Sequence, residues 1–440
     1  MRLRRKLLAV VVGAGVVLGS AVAFTATGNA AVTCSATVWA EGNTYTAGTQ
    51  VTYQSALYQA LVTHTAHVGA GWNPAATPSL WKSLGACTGG GTPSPSPSAS
   101  SPSTSPSASP STSPSPSTSP STPTGCGLRG RPAGKVLQGY WENWDGASNG
   151  VHPGLGWIPV NDSRITQHGY NVLMAAFPVI RSDGTVLWEN GMDAGVKVPT
   201  VAEICAAKAQ GATILMSIGG ATAGIDLSSS AVADRFVATI VPILKQYNFD
   251  GIDIDIETGL TGSGSITTLS ASQANLIRII DGVLAAMPSN FGLTMAPETA
   301  YVTGGSVTYG SIWGSYLPII KRYLDNGRLW WLNMQYYNGS MYGCAGDSYS
   351  AGTVQGFTVQ TQCLANGLTI QGTTIRIPVD KQVPGLPAQT GAGGGYMTPA
   401  LVSQAYNSVP GLKGLMTWSI NWDGSKGWTF GDNVKALQGR

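Results

Sequence analysis

The chain has 440 residues, more than a single hydrophobic core normally holds, so we expect several domains. Only 10% of the residues are charged and the formal net charge is +3, which argues against a protein that binds the phosphates of nucleic acid. The 13 tryptophans and 16 tyrosines favour a neutral ligand such as a sugar, although aromatic rings also fill cores.

Residues 1–30 have the layout of a secretory signal peptide. Its cations are Arg2, Arg4, Arg5 and Lys6. Residues 7–24 are apolar, and small residues offer a cleavage site after Ala30; a membrane anchor is the alternative, because this stretch is almost long enough to span a bilayer. Cleavage removes the four cations and changes the net charge from +3 to −1. We therefore expect a secreted, extracellular and monomeric protein without membrane contact.

Residues 31–88 are predicted to form a small all-β module. They resemble the chitin-binding modules of carbohydrate-binding families 5 and 12, and the matching positions are Trp39, Tyr45, Gly48, Val51, Tyr53, Leu57, Tyr58, Ala60 and Trp81. The resemblance implies chitin as the ligand, with cellulose as an alternative because it offers similar flat faces. Tyr58 and Trp72 are candidates for an exposed sugar platform, whereas Trp39 and Trp81 fit the platform or the core equally well.

Residues 89–125 are predicted to form a linker. Between residues 92 and 124 the chain contains only Thr, Pro, Ser and Ala, which cannot bury a core. Its prolines favour an extended spacer, which at about 3.1 Å per residue reaches on the order of 100 Å.

Residues 126–440 alternate between short apolar runs and helical patterns. The candidate strands are 135–140, 171–177, 212–217, 249–257, 292–296, 329–336, 374–379 and 414–419, and the clearest helices are 231–247, 270–287, 312–324 and 353–366. Eight strands with intervening helices favour an α/β fold, a (β/α)8 TIM barrel. An open doubly wound sheet is the alternative, but the Gly-rich phosphate loop typical of that fold does not follow the first strand.

The run 249–257 carries the strongest functional signal. Strand side chains alternate, so Asp253, Asp255 and Glu257 share one face while isoleucines occupy the other. We expect the isoleucines to pack on helices and the acids to point into the barrel near its carboxyl end, where barrel enzymes place their active sites. Crowded acids retain at least one proton near neutral pH, as a general acid must. A solvated acidic edge or a calcium site is the alternative.

These residues resemble the signature D-G-x-D-x-D-x-E of glycoside hydrolase family 18. The matching positions are Asp250, Gly251, Asp253, Asp255 and Glu257, with further matches at 217–220, 295–298, 335–338 and Trp418. The matches run in order from Gln138 to Trp418, so the resemblance covers the whole large domain.

The resemblance implies a substrate-assisted retaining mechanism. Glu257 would protonate the glycosidic oxygen and later activate water, while the substrate's 2-acetamido carbonyl attacks the anomeric carbon. Asp255 would orient the acetamido group, Asp253 would tune Asp255, and Tyr337 would donate a hydrogen bond to the acetamido carbonyl. The further substrate-binding positions implied are Gln335, Asn338, Trp418, Met295, Tyr140 and Ser217. Core packing is the alternative for Tyr337 and Trp418.

The segment that follows the predicted seventh strand is short. About 20 residues separate Val379 from Thr398, so the extra domain that some family members carry there is absent, and we expect an open groove and endo-type cleavage. The presence of Glu257 argues against a barrel that has lost catalysis and acts as a lectin. An endo-β-N-acetylglucosaminidase acting on N-glycans would use the same chemistry, but the attached module favours chitin and N-acetylglucosamine oligomers.

Six cysteines in an exported chain predict disulfides. The expected pairs are Cys34–Cys87, Cys344–Cys363 and Cys126–Cys205. The first pair brackets the small module, the second is close in sequence, and the third is what remains. No cysteine or histidine spacing indicates a metal site, and no cofactor is expected.

Overall fold

The computed structural model describes residues 34–40, 43–46, 48–60, 64–66, 73–75, 81–87, 126–146, 152, 154–221 and 224–440. The predicted signal peptide 1–30, the linker 89–125 and Trp72 lie outside the described residues. The chain forms two compact units, of which the first contains the described residues 34–87 and the second contains those from 126 onward.

The first unit is all-β, as predicted. Its strands are β1 Thr44–Tyr45, β2 Gln50–Tyr53, β3 Ala56–Ala60, β4 His64–Thr65 and β5 Trp81–Ala86. Strands β2, β3 and β5 form an antiparallel sheet, and β1 pairs with β4. A small core that includes Tyr45, Val51 and Trp81 lies against these strands. The Cys34–Cys87 disulfide joins the two ends of the described segment.

The second unit is built on eight parallel strands. They are β6 Val136–Glu142, β7 Val172–Ala176, β10 Thr213–Gly219, β11 Gly251–Asp255, β12 Gly292–Met295, β13 Trp331–Leu332, β18 Gly385–Pro387 and β19 Gly414–Trp418. The order in the sheet is β13-β12-β11-β10-β7-β6-β19-β18. Parallel bridges Leu332–Gln382 and Gln335–Gly385 join the two outer strands, so the sheet closes into the predicted barrel.

Helices and hairpins surround the barrel. The helices are α1 Ser163–Gln167, α2 Val201–Ala209, α3 Ser230–Gln246, α4 Ala271–Ala286, α5 Leu317–Asp325, α6 Val354–Asn366, α7 Pro399–Ser408, α8 Ile420–Gly424 and α9 Thr429–Leu437. The hairpins are β8 Val179–Ile180 with β9 Val186–Leu187, β14 Ser340–Tyr342 with β15 Ser348–Ser350, and β16 Leu368–Ile370 with β17 Thr373–Ile375. Helix α5 begins later than predicted because Pro318 suits only a first turn.

The predicted seventh strand at 374–379 is wrong. Residues Thr373–Ile375 form the second strand of the β16–β17 hairpin, and the barrel strand is β18, Gly385–Pro387. The β-branched run at 373–375 suits a partly exposed hairpin, whereas β18 is fully buried yet short and contains Gly and Pro, which have low strand propensity. Sequence pattern therefore favoured the wrong segment.

Two apolar layers hold this unit together. One lies between strands and helices and includes the outward-facing Ile252, Ile254 and Ile256. The other fills the barrel interior and includes Tyr140 and Trp331. All three predicted disulfides are present. Within the described part of the chain, no helix combines the length and the apolar character that crossing a membrane requires.

Candidate functional site

Three acidic side chains lie toward the carboxyl end of β11. Asp253 and Asp255 occupy its inward face and are 0% and 3% exposed, while Glu257 lies two residues beyond the strand and is half-buried. The intervening isoleucines are buried in the outer apolar layer. The predicted alternation is therefore confirmed, and burial of this strand on both faces argues against a solvated acidic edge.

Two glycines at the carboxyl end of the neighbouring strand β10 shape the end of β11. Gly219 has a φ of +111°, and a Cβ there would lie 2.1 Å from the carbonyl oxygen of Asp255. The backbone N–H of Gly220 donates to that same oxygen at 2.7 Å. The S-x-G-G segment thus lets the two backbones approach closely and fixes the backbone of Asp255.

Asp253 is enclosed by hydrogen-bond donors. Its Oδ2 accepts from Tyr140 Oη at 2.7 Å and Ser217 Oγ at 2.8 Å. Its Oδ1 accepts from Thr294 Oγ1 at 2.6 Å and Asn333 Nδ2 at 3.1 Å. Burial raises the pKa of Asp253, and these hydrogen bonds oppose the increase. Donors rather than a cation therefore surround this carboxyl group, which does not fit a calcium site.

Tyr140 and Ser217 were predicted to bind substrate, but both side chains are buried beneath the mouth of the barrel, at 1% and 0% exposure. Their hydroxyl groups bind Asp253 instead. Thr294 and Asn333, which hold the other oxygen of Asp253, were not predicted, because neither belongs to a recognised signature.

A single amide connects Asp255 and Glu257. Gln335 Nε2 lies 2.9 Å from Asp255 Oδ1 and 2.9 Å from Glu257 Oε1, and it also donates to the Ala296 carbonyl at 3.1 Å. Burial, followed by the charges of Glu257 and Asp253, holds the pKa of Asp255 well above its ordinary value. Burial also raises the pKa of Glu257, while hydrogen bonds from Gln335 and Asp255 oppose the increase. The pair thus favours retaining a proton.

Tyr337 is brought to this cluster by the segment after β13. Its side chain is 6% exposed, and burial, then the charge of Asp255, raises the pKa of Tyr337 well above its ordinary value. The phenol therefore remains a hydrogen-bond donor across the neutral range. Tyr301 Oη donates to the carbonyl of Glu257 at 2.5 Å, and Tyr316 Oη donates to that of Ile256 at 2.9 Å. These two rings fix the backbone that carries Glu257.

Trp418 ends β19 and lies in a cluster of aromatic rings. Its centroid lies 5.5 Å from that of Tyr140, 6.1 Å from that of Trp144 and 6.0 Å from that of Phe177. The rings of Trp418 and Phe177 are nearly parallel, at 16°. Trp418, Trp144 and Phe177 are partly exposed, whereas Tyr140 is buried below them. We call Trp418, Trp144 and Phe177 the sugar platform; the last two were not predicted.

Met295 does not line the site. It is 0% exposed and belongs to the apolar layer between strands and helices, paired in register with the outward-facing Ile254. The predicted substrate contact is wrong, because alternation along this segment turns Thr294 and Ala296 inward and Met295 outward.

Glu298 follows on the inward side of the same segment. It is half-buried, and burial followed by the charge of Glu257 raises its pKa. Asn338 is exposed; its Oδ1 accepts from the N–H of Gly394 at 2.7 Å, and its own N–H donates to the Gly394 carbonyl at 2.9 Å. The structure thus uses the Asn338 carbonyl oxygen to fix a loop.

Asp250, the first residue of the acidic signature, lies at the opposite end of the barrel. Its Oδ1 accepts from Lys208 Nζ at 2.8 Å and its Oδ2 from the N–H of Ile214 at 2.8 Å. The role of Asp250 is to anchor the beginning of β11. Among the described residues, no group of three or more His, Cys, Asp or Glu side chains is placed to hold a metal ion.

The aromatic residues of the first unit divide between core and surface. Trp81 is 2% exposed, and its ring packs against that of Tyr45 at 5.0 Å, so of the two alternatives predicted for Trp81 the structure has the core. A flat ring fills this small core, whose other buried members among the described residues are Tyr45, Val51, Ala60 and Ala66. Trp39 and Tyr58 are partly exposed and pack against the same core, and Trp39 contacts Tyr53 edge to face at 5.2 Å.

Comparison with known proteins agrees with this geometry. Residues 136–311 match the model for glycosyl hydrolases family 18, and residues 38–82 match that for carbohydrate-binding module family 5/12. The chain is 81% identical over 309 residues to Endochitinase 37 of Trichoderma harzianum, covering 70% of this chain and 92% of that protein.

Two further relatives extend the comparison. Endochitinase 4 of Metarhizium robertsii is 78% identical over 311 residues, covering 70% of this chain and 90% of that protein. A family GH18 chitinase from Chromobacterium violaceum has a solved structure with a TM-score of 0.60 and 30% identity, covering 92% of this chain and 99% of that one.

Proposed function

Since the chain belongs to glycosyl hydrolase family 18, we propose that it is a secreted endochitinase that cleaves β-1,4 linkages between N-acetylglucosamine units of chitin. The observation that carries this proposal is the hydrogen-bonded group Asp255–Gln335–Glu257 beside Tyr337. This group supplies the half-buried acid Glu257 and, beside it, the buried carboxyl group of Asp255.

The first step is cleavage of the glycosidic bond. Glu257 donates its proton to the glycosidic oxygen as the bond from that oxygen to the anomeric carbon breaks. The carbonyl oxygen of the substrate's own 2-acetamido group attacks the same carbon and forms an oxazolinium ring. Glu257 is suited to this role because its pKa is raised by burial and it is more accessible than Asp253 and Asp255.

The second step is hydrolysis of the oxazolinium. Glu257, now ionised, accepts a proton from water, and the water oxygen attacks the anomeric carbon from the face that the leaving sugar occupied. The ring opens and the acetamido group is restored. Two inversions at one carbon give retention of the β configuration.

Asp255 and Tyr337 hold the acetamido group between them. The carboxyl group of Asp255 accepts the acetamido N–H and stabilises the positive charge of the oxazolinium, while the phenol of Tyr337 donates to the acetamido carbonyl oxygen. Neither acts as a nucleophile. Asp253 is surrounded by four donors, from Tyr140, Ser217, Thr294 and Asn333, and supports Asp255 from below.

The sugar platform lies across the barrel mouth from β11. In the strand order, β19, which carries Trp418, and β11, which carries Glu257, are separated by three strands. An indole placed there can lie under the ring of the sugar whose anomeric carbon reacts. The short connection between Pro387 and Pro399 leaves no room for an extra domain, which supports an open groove and cleavage within chains.

The first unit is proposed to bind chitin and hold the enzyme near insoluble substrate. Its match to carbohydrate-binding module family 5/12 and the partly exposed rings of Trp39 and Tyr58 support this role. The three disulfides support an extracellular location, because such bonds persist in oxidising compartments. Deletion of residues 31–124 should lower hydrolysis of insoluble chitin far more than that of soluble oligomers. Equal losses would contradict this role.

The mechanism is tested by Glu257→Gln. The amide cannot donate and then accept the proton, so hydrolysis of N-acetylglucosamine oligomers should fall by roughly 10⁴-fold while oligomer binding persists. Glu203→Gln, which alters a distant carboxylate in the capping box of α2, is the matched control and should retain wild-type turnover. Turnover by Glu257→Gln at the control's rate, or products in the α configuration by NMR, would refute the mechanism.

The competing substrate is an N-glycan. The same chemistry would cleave its chitobiose core, so chitin oligomers and a glycoprotein should be offered together to the wild-type enzyme. Preferential cleavage of the oligomers supports the proposal, whereas preferential release of the glycan would favour an endo-β-N-acetylglucosaminidase.

A further inference from the structure

A further carboxyl group, outside the acidic strand, is buried at the end of the barrel where the strands finish. Glu142 ends β6 and is 0% exposed. Its Oε1 accepts a short hydrogen bond from Ser419 Oγ, and its Oε2 lies 2.8 Å from His152 Nε2. His152 is also 0% exposed. The catalytic steps described above use neither Glu142 nor His152.

Glu142 is tied to the segment that carries Trp418. Ser419 directly follows Trp418, and its Oγ also accepts from the N–H of Trp422 at 3.1 Å, which caps α8. The backbone N–H of Glu142 donates to Asn421 Oδ1 at 2.9 Å. Through its backbone and its side chain, Glu142 thus binds both Ser419, which follows β19, and Asn421, which lies in the first turn of α8.

His152, which is bonded to Glu142, also contacts the loop that carries Trp144. A Cβ added to Gly146 would lie 2.3 Å from His152 Nε2, so the imidazole lies directly against the backbone two residues after Trp144. The imidazole also meets the ring of Trp422 edge to face, with centroids 6.3 Å apart. The Glu142–His152 pair therefore contacts both chain segments that supply tryptophans to the sugar platform.

The buried carboxyl group of Glu142 is better suited to orienting its neighbours than to stabilising the fold. A buried carboxyl group costs folding free energy unless both oxygens are bonded, and well-packed apolar side chains stabilise a core as well or better. Directional bonds from a carboxyl group instead fix the relative positions of their partners. We propose that Glu142 and His152 are positioning residues that hold the indoles of Trp418 and Trp144 in one sugar platform. This inference rests on the proposed function, in which Trp418 contacts the reacting sugar.

The test is a double-mutant cycle. Glu142→Leu removes both side-chain hydrogen bonds, and Trp418→Ala removes the indole that the pair is proposed to position. If Glu142 acts through Trp418, Glu142→Leu should lower kcat/KM on N-acetylglucosamine oligomers about tenfold, because small displacements at a reacting centre are costly. In the Trp418→Ala background the same change should have less than about a twofold effect.

Conservative and distant variants separate positioning from stability. Glu142→Gln keeps an acceptor for Ser419 and should recover most of the activity lost in Glu142→Leu. Tyr323→Phe removes a buried hydroxyl that donates to Asp281 Oδ1 at 2.8 Å between α5 and α4, away from the barrel mouth, and should lower the unfolding temperature with little change in KM. If Glu142→Leu does not fold, Ser419→Ala, which removes only the hydroxyl donor, replaces it in the cycle.

The outcomes are distinguishable. Equal losses of kcat/KM in both backgrounds, or a loss of thermal stability without any change in kcat/KM, would overturn the positioning role. A Trp418→Ala enzyme with wild-type KM and kcat would instead show that the platform does not contact the sugar, so the proposed function of Trp418 itself would fail. Non-additive losses with recovery by Glu142→Gln would support the inference.

Discussion

The hydrogen bond between Thr294 and Asp253 offers a direct test of how the barrel supports its buried acids. Thr294 Oγ1 donates to Asp253 Oδ1 at 2.6 Å, and both side chains are 0% exposed. Thr294→Val keeps the shape of the side chain and removes only the donor. The variant therefore isolates one contribution to a carboxyl group that also binds Tyr140, Ser217 and Asn333.

The expected magnitude depends on the charge of Asp253. A hydrogen bond to an ionised group contributes about 2 kcal/mol to stability, and one between neutral groups about 1 kcal/mol. Burial raises the folded-state pKa of Asp253, so its contribution to stability is fully present below the unfolded pKa and is lost as pH rises through the folded pKa. Removing a donor raises that folded pKa further. Thr294→Val should thus lose about 1 kcal/mol at acid pH and about 2 kcal/mol at alkaline pH.

Urea unfolding measured at acid and at alkaline pH checks this difference. Thr303→Val is the matched control: Thr303 is also 0% exposed, but its Oγ1 donates to the neutral Oε1 of Gln360 at 2.8 Å. The control should lose about 1 kcal/mol at both pH values. If Thr294→Val shows the same pH-independent loss as the control, Asp253 does not change its charge in this range and the reasoning is refuted.

Three further predictions concern the acids, the phenol and the small module. Tyr337→Phe should lower kcat roughly 10²-fold with a smaller change in KM, since the phenol serves the developing oxazolinium; equal changes in both would contradict this. Asp255→Asn should abolish activity yet resist urea better than wild type at neutral pH, with the difference vanishing at acid pH, because burial and then the charge of Glu257 raise the pKa of Asp255. Replacing Cys34 and Cys87 by Ser opens a 53-residue loop and should destabilise the first unit by about 4 kcal/mol. The variant should no longer bind insoluble chitin but should hydrolyse soluble oligomers at the wild-type rate.

The acidic strand was predictable because local pattern and chemistry agree. Alternation between acids and isoleucines placed Asp253, Asp255 and Glu257 on one face, and the structure has that arrangement. Disulfide pairing was also accessible, since six cysteines leave few sensible pairings once short separations are matched. The alternation was predictable because it depends on residues close in sequence, where geometry follows from a single element. The disulfide pairing instead followed from the small number of cysteines and their positions relative to the domain bounds.

Contacts between distant segments were not predictable in the same way. The seventh barrel strand was missed because Gly385–Pro387 has weak strand propensity, and its position is set by pairing with β19 rather than by its own residues. Met295 was misplaced because the signature does not state which face of β12 looks inward. That follows only from the register, in which Thr294 pairs with Asp253. Glu142 and His152 meet only after the barrel closes.

The buried acids of the site are surrounded by neutral hydrogen-bond donors instead of cations. Burial raises the pKa of Asp255 and of Glu298, and the charge of Glu257 raises both further, so these acids cost stability when they ionise. The barrel offsets this cost with neutral donors: Gln335 for the catalytic pair, and hydroxyl groups together with Asn333 for Asp253. A nearby Lys or Arg would stabilise the ionised acids more strongly but would lower the pKa of Glu257 and weaken it as a proton donor. Neutral donors orient the carboxyl groups without removing the proton that cleavage requires.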